Sequence, residues 1–462
     1  MKMKNWNGQR ILVLGAARQG LALARFLTRQ GARVTLNDQR PVEKMASARE
    51  ALSGLSVNWA LGGHPLSLLD ETDLVCLSGG IPLDLPIVIE AARRGLSLSN
   101  DSQIFMEAVP CRVIGITGSA GKTTTTTLVG RMAAAAVTAP RHAWIGGNIG
   151  QPLIEFLDEI QPEDTAILEL SSFQLDQMTL SPQIAAVLNI TPNHLDRHGT
   201  MEAYTAAKAR LLEFQQAGDT AVLGRENPGA WALASRVRGN LVTFGLRHPP
   251  AGQRGTYCRD HMLWFWDGQM DQALLPLELV QLRGEHNLMN ILAACALAVA
   301  AGFPAEAIQS GVRDFKGVAH RLEFIRMHRG AQWFNDSIAT APERTAAALR
   351  SFDEPVVLLL GGRDKNLPWE QLAELVRERV DHVVIFGEAA GKIQSALGGV
   401  HSGLKPYTVF TCSGLYEAVL AAAEVAEPGD VVLLSPGGTS FDEFKDFEER
   451  GECFRLWVNQ LT

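Results

Sequence analysis

Gly115-Ile116-Thr117-Gly118-Ser119-Ala120-Gly121-Lys122-Thr123-Thr124 is preceded by a short apolar run at 113–116 and followed by a helix-like segment from 122 to about 136. A strand, a turn of small residues and a helix start, in that order, aim successive backbone N–H groups and the positive end of a helix at one point. That arrangement cradles phosphate. The spacing departs from the usual G-x-x-x-x-G-K-[ST], since Gly115 falls one residue early and Gly118 two residues late. The chemistry survives: Lys122 stands where an ammonium runs along the outer phosphates of ATP, and Thr123 where a hydroxyl holds Mg²⁺. Gly118, Ser119, Gly121, Lys122, Thr123 and Thr124 are expected to bind ATP.

Strand-like runs alternate with helix-like segments on both sides of this loop, which predicts an α/β chain with parallel sheets. Upstream strands are expected at 11–14, 33–37 and 74–77, with helices at 21–30 and 86–94. Downstream strands are expected at 165–170, 184–189 and 221–224. Between 240 and 281 the texture changes: Trp264-Phe265-Trp266 and the turn Asp267-Gly268 mark a small β meander. Helical periodicity returns at 287–301, and a third α/β unit starts near Ala331 with strands at 356–360, 382–386 and 431–434. At about 150 residues per domain, 462 residues suit about three. We expect an N-terminal Rossmann-like domain (1–108), a central P-loop-type ATPase with a parallel sheet plus the meander (109–322), and a C-terminal Rossmann-like domain (323–462).

Lys plus Arg number 42 and Asp plus Glu 50, a net charge of −8 that argues against nucleic-acid or anionic-membrane partners. Six scattered cysteines with no C-x-x-C spacing exclude a disulfide scaffold and suit a reducing cytosol. The longest apolar stretch, 291–303, is too short to span a bilayer. A cytoplasmic protein without a signal peptide or membrane insertion is expected.

Three further places carry chemistry. Gly15-Ala16-Ala17-Arg18-Gln19-Gly20 is a degraded dinucleotide fingerprint, with Asp38 closing the next strand. Such a loop either is a merely structural βαβ turn or holds a pyrophosphate, that of a uridine nucleotide sugar or of a nicotinamide cofactor, so an oxidoreductase is the rival of a different class. Glu169 ends an apolar strand, either as a Mg²⁺ ligand or as a solvated carboxylate. Asn193-His194-Leu195-Asp196-Arg197-His198 follows another strand and suits a metal, a substrate or a polar surface loop. Lys208 lies on a helix over 201–214 with Thr200 as its N-cap, sharing the apolar stripe of Tyr204 and Leu211. It either snorkels outward or is desolvated with a lowered pKa, and a neutral amine can take up CO₂ as a carbamate.

Together with Gly146-Gly147-Asn148-Ile149-Gly150, Glu169-Leu170-Ser171-Ser172-Phe173-Gln174-Leu175, Ala206-Ala207-Lys208, Gly284-Glu285-His286-Asn287-Leu288-Met289-Asn290, His320-Arg321-Leu322-Glu323, Asn335-Asp336-Ser337 and Leu434-Ser435-Pro436, these motifs resemble the Mur ligase family from end to end, most closely its glutamate-adding branch. The resemblance implies an ATP-dependent amide ligase of peptidoglycan precursor synthesis. Such an enzyme joins D-glutamate to UDP-N-acetylmuramoyl-L-alanine through an acyl phosphate, as a monomer. It implies two Mg²⁺ ions held by Thr123, Glu169, His194 and an N-carbamylated Lys208, with Lys122, His194 and Lys208 as catalytic residues. Asn287 and Asn290 would flank adenine, and Arg321 and Asp336 would contact phosphate and ribose. Gly15, Asp38, Arg40, Ser78 and Asn148 would bind the uridine substrate, with His194 beside them. Thr340, Lys365, Ser440 and Phe447 would grip the incoming amino acid.

Ser440-Phe441-Asp442-Glu443 also reads as a capping box, which predicts a helix N-terminus at Ser440. The sequence departs from the family pattern where a lysine has become Ile338 and an asparagine Ala341, and the P-loop asparagine is Ala120. The departures leave L-glutamate open beside D-glutamate. Another Mur-type ligase or a folylpolyglutamate-type synthetase remains an alternative, although the latter has no place for the N-terminal domain.

Overall fold

The computed structural model describes residues 5–399 and 403–462. The chain divides into two compact units, Met1–Gln281 with Glu285–Phe315, and Leu282–Gly284 with Lys316–Thr462.

The first unit carries two sheets. One contains β1 (Arg10–Leu14), β2 (Arg33–Asp38), β3 (Val57–Leu61), β4 (Leu74–Leu77) and β5 (Ser97–Ser99) in the order β3-β2-β1-β4-β5, every pair parallel. This is a Rossmann-like order with its reversal between β1 and β4, the place where α/β sheets bind ligands. β1 and β4 are apolar without alternation because helices cover both faces. The helix Arg18–Arg29 supplies Leu23, Phe26 and Leu27 to one face, and Pro86–Arg93 supplies Ile87 and Val88 to the other.

The second sheet contains β6 (Arg112–Thr117), β7 (Ala143–Gly147), β8 (Thr165–Glu169), β9 (Ile184–Val187), β10 (Thr220–Gly224), β11 (Asn240–Phe244), β12 (Gly255–Arg259), β13 (Met262–Trp266) and β14 (Asp271–Pro276). Its order is β14-β13-β12-β11-β10-β9-β6-β8-β7. β6 therefore lies between β8 and β9, which brings the ends of three strands to one rim. The expected meander is antiparallel from β12 to β14, but it continues the parallel sheet through a β11–β12 pair. The apolar stretch at 291–303 belongs to the helix Glu285–Ala300, buried from Asn290 to Ala298 as a core helix. Among the described residues no helix is long and apolar enough to cross a membrane.

The second unit has one sheet: β15 (Glu323–His328), β16 (Ala331–Asn335), β17 (Val356–Gly361), β18 (Val380–Phe386), β19 (Thr408–Thr411) and β20 (Val431–Gly437). The order is β15-β16-β20-β17-β18-β19, parallel except for the edge pair β15–β16. The reading of a helix N-terminus at Ser440 is wrong. Residues 440–446 form turns, and the helix runs Phe447–Gln460 with Asp446 as its N-cap. Asp446 Oδ1 accepts from Glu449 N at 2.8 Å and Glu449 Oε2 from Lys445 N at 2.7 Å, while Glu443 turns away to accept from Leu415 N at 3.1 Å. Two overlapping acid-rich segments competed for one helix start, and the one with the reciprocal side-chain bonds won.

Candidate functional site

The loop after β6 is held open by its neighbours. Asn189, beyond the end of β9, accepts Ser119 N at its carbonyl (2.9 Å) and Ala120 N at Oδ1 (2.8 Å), and its Nδ2 donates to Ala120 O (3.1 Å). Ser119 Oγ donates to Thr191 O at 3.0 Å and lies 3.0 Å from Tyr204 Oη. Gly121 has φ +81°, and a Cβ there would stand 2.1 Å from Asn290 Oδ1, so glycine is required by both backbone and space. Helix Lys122–Ala136 starts at once behind it. Asn290 Nδ2 in turn donates to Asn287 Oδ1 at 3.3 Å. Gly118, Ser119, Gly121, Lys122, Thr123, Thr124, Asn287 and Asn290 are thus brought together.

Lys208 is fully buried, 1% exposed. Its Nζ donates to Gly118 O at 3.0 Å and Thr117 Oγ1 at 3.4 Å, and sits 4.7 Å from the centre of the Tyr204 ring. Lys122 Nζ donates to the same Gly118 O at 3.0 Å. Burial, then the neighbouring Lys122, push the Lys208 amine down to about 6, with Glu169 opposing. Of the two readings open from spacing, the desolvated one is the structure's.

Glu169 ends β8, also buried, with Oε1 accepting from Asn148 Nδ2 at 2.9 Å. Its other oxygen, Oε2, is buried with no hydrogen-bond partner. Gly147 has φ +97°, and a Cβ there would lie 2.4 Å from Glu169 O, which also accepts Asn148 N at 2.8 Å. The glycine-rich turn after β7 therefore packs directly on the carboxylate's backbone. A buried, half-satisfied carboxylate near the Thr123 hydroxyl's helix suits a hard cation. Among the described residues no three His, Cys, Asp or Glu side chains converge as a metal cluster.

His194 adopts a left-handed conformation (φ 54°), uncommon outside glycine, and meets Phe173 edge-on at 5.3 Å. The Asp196 side chain lies outside the described residues. Phe173, to which the sequence reading assigns no role of its own, is the hub that joins two of the quoted motifs. His198 stacks on it at 5.1 Å and Arg197 at 4.7 Å, and His198 Nε2 shares a hydrogen bond with Ser172 Oγ at 2.9 Å. Burial raises Asp176 to about 6, with Arg210 opposing. Phe173, Asp176, Arg197 and His198, with Ser78, line a cavity of about 190 Å³ between the rims of the two sheets.

Beyond β1, Gly15 has φ +92° and its carbonyl accepts from Ser78 Oγ at 2.8 Å. Asp38 accepts from Ala16 N at 2.9 Å and pairs with Arg40 at 2.8 Å, which holds its carboxyl well below the usual range. Asp38 therefore ties the phosphate-type loop to the end of β2. Gly15, Asp38, Arg40 and Ser78 form one cluster.

The second unit gathers the others. Asp336 is buried, accepting from Leu322 N (3.2 Å) and Ser435 Oγ (2.8 Å), and burial raises its carboxyl to about 7. Arg321 adjoins Leu322 on the segment that enters β15. Lys365 Nζ donates to Thr340 Oγ1 at 3.4 Å. Phe447 O accepts from Ser337 Oγ at 2.8 Å, and Ser440 is buried. The organiser is Arg450, 0% exposed, whose guanidinium binds Ser337 Oγ (3.0 Å), Ser337 O (2.9 Å) and Gly438 O (3.1 Å). No sequence pattern marked it, because an arginine on a terminal helix ordinarily faces water.

Comparison with known proteins follows the same division. Residues 9–99 match the Mur ligase MurD-like N-terminal domain, 116–298 the Mur ligase middle domain, and 320–438 the Mur ligase glutamate ligase domain. The chain is 40% identical over 98% of both chains to the UDP-N-acetylmuramoylalanine--D-glutamate ligase of Symbiobacterium thermophilum. To the protein of that name from Koribacter versatilis it is 38% identical, over 98% of both. In fold it is similar to MurF from Acinetobacter baumannii, with a TM-score of 0.58 at 20% identity over 97% of this chain and 91% of that one. With three domain matches in order on three sheets, and relatives aligned over nearly the whole length, the chain belongs to the Mur ligase family.

Proposed function

We propose that the protein is an ATP-dependent ligase that joins D-glutamate to UDP-N-acetylmuramoyl-L-alanine in the cytoplasm, releasing ADP and phosphate. The observation that carries this reading is the meeting of Lys122 and the buried Lys208 on one carbonyl, Gly118 O, beside the half-satisfied Glu169. A cation, a desolvated amine and a cation-ready carboxylate at a phosphate loop suit phosphoryl transfer, which asks a protein mainly to position and neutralise charge. Residues 1–108 would bind the uridine substrate, 109–322 ATP, and 323–462 the amino acid.

In this reading the terminal carboxylate of the L-alanyl group takes the γ-phosphoryl of ATP, and the amine of glutamate displaces phosphate from the acyl phosphate. Lys122 and the backbone N–H groups of 118–123 hold the phosphates in line. Gly15, Asp38, Arg40 and Ser78 take the uridine end, and the cavity lined by Ser78, Phe173 and His198 takes the sugar and its acyl arm. Thr123 and Glu169 would hold one Mg²⁺, and His194 with Lys208 a second. When bound, Mg²⁺ neutralises charge on the transferring phosphoryl group. A neutral Lys208 amine can bond to the carbon of CO₂ and release a proton, which gives the anionic oxygen that a lysine otherwise lacks. Asn287, Asn290, Arg321 and Asp336 would position the nucleoside and phosphates, and Thr340, Lys365, Ser440 and Phe447 the glutamate.

The test is phosphate release from ATP with UDP-N-acetylmuramoyl-L-alanine and D-glutamate, L-glutamate or no amino acid. Turnover with D-glutamate alone is expected. Turnover with L-glutamate alone would make Ile338 and Ala341 the first suspects in a changed stereochemistry. No turnover with either would refute the assignment.

A further inference from the structure

The second unit holds a pair of cations that reach one short segment from different elements. Lys365, on the loop after β17, donates to Thr340 Oγ1 at 3.4 Å. Arg344, in the first turn of the helix Pro342–Leu349, donates from Nη1 to Ile338 O at 3.3 Å. The two side chains therefore reach positions 338 and 340 of the same segment. Both residues are exposed, and among the described residues no carboxylate forms an ion pair with either. They feel each other: partial desolvation and then Arg344 lower the Lys365 ammonium, with Glu343 opposing. Neighbouring cations with no carboxylate ion-paired to either favour an anion between them. The Ile338 carbonyl engages one of the five N–H donors of a guanidinium, whose fork matches a carboxylate.

Glutamate that is ready to attack carries two carboxylates and a neutral amine, so one lysine balances half its charge. Position 338, where the Mur pattern has a lysine, is isoleucine here, and Arg344 brings a cation back to that backbone. We propose that Arg344 is a second carboxylate-binding residue for the incoming amino acid, working with Lys365 and Thr340. This rests on the ligase reading given above.

The experiment is steady-state kinetics of the full-length enzyme, varying D-glutamate, ATP and the uridine substrate in turn, for the wild type, Arg344→Ala, Arg344→Gln and Arg344→Lys. A charged hydrogen-bonded contact of this kind predicts a KM for D-glutamate raised about 10- to 100-fold in the Ala and Gln variants. The KM values for ATP and the uridine substrate should stay within about twofold, with kcat at saturating glutamate largely retained. Arg344→Lys should recover part of the loss, which separates charge from packing. An unchanged glutamate KM overturns the proposal. So does an equal or greater rise in the ATP KM, which would assign the guanidinium to phosphate. A wild type that uses neither glutamate enantiomer refutes the ligase reading and takes this proposal with it, an outcome distinct from a variant that behaves like an active wild type.

Discussion

Replacing Lys208 by methionine should stabilise the first unit while abolishing ligation. The amine is buried among Thr117, Gly118 and Tyr204, and its pKa falls from 10.5 to about 6. A lysine whose folded pKa lies below its unfolded value leaves the unfolded chain holding more protons, so stability rises with pH. The penalty is full below about pH 6, shrinks through the window above it and vanishes beyond about 10.5. A pH of 7.5 lies ~3 units below the pKa of the unfolded amine, and at ~1.4 kcal/mol per unit discharging it costs about 4 kcal/mol. Methionine fills similar volume with no charge. It gives up the bonds to Gly118 O and Thr117 Oγ1, but both acceptors keep partners: Gly118 O has Lys122 Nζ, and Thr117 Oγ1 donates to Leu170 O at 2.7 Å. Losing those bonds without orphaning a buried group costs about 1 kcal/mol. The net expectation is a Lys208→Met protein about 2–3 kcal/mol more stable near neutrality. The assay is urea unfolding of both proteins in CO₂-free buffer from about pH 6.5 to 9.5, following the transition of the first unit, with phosphate release alongside. The stability gap should close steadily as pH rises. A gap independent of pH, or a wild type more stable at pH 7, would refute the desolvated-amine argument.

Glu169→Gln should leave stability unchanged or raised, because the buried Oε2 has no partner to lose, yet raise the Mg²⁺ concentration needed for half-maximal activity at least tenfold; an unaltered Mg²⁺ titration removes Glu169 from the metal site. Gly147→Ala places a Cβ 2.4 Å from Glu169 O at a left-handed backbone, so a strain of about 1–2 kcal/mol plus a displaced carboxylate should lower both melting temperature and kcat. A variant that loses stability but keeps its full kcat would show that the turn does not position Glu169. Asp446→Ala should cost about 1 kcal/mol in unfolding of the second unit as a lost N-cap, and Ser440→Ala less; the reverse ranking would restore the cap to Ser440.

The parallel strands were legible wherever burial on both faces made the sequence continuously apolar. β1, β4, β6 and β17 are of this kind, and their expected limits lie within a residue or two of those observed. β3 and β5 carry no such mark: Val57–Leu61 is a half-exposed edge containing Asn58, and Ser97–Ser99 is three residues long. The meander was recognisable from its aromatic alternation and turn, but nothing local says which older strand it joins. That depends on Thr243 and Phe244 pairing with Gly255 and Thr256, a matter of tertiary register. The Ser440 helix failed for a related reason, since two candidate caps lie within a few residues and only their distant partners decide between them.

At the site, legibility followed the reach of each interaction. The phosphate loop is a local object, and its strand, turn and helix are contiguous. Lys208 is not. Spacing could put it on the apolar stripe of its helix but could not say whether the ammonium emerges from it. Its depth is set by Gly118 and Thr117, ninety residues away, and these are in place only because β6 lies between β8 and β9. Asn189 and Arg450 escaped notice, and Phe173 stood in a motif without a role, for the same reason: each holds together segments remote in sequence. Such residues make a useful distinction. A side chain whose partners are local can be read from a motif, but one that bridges strands reports the topology, and altering it should disturb several binding residues at once. Arg450, which braces Ser337 and Gly438 from inside the second unit, is of this kind: its loss should move Ser337 and Phe447 together rather than remove a single contact.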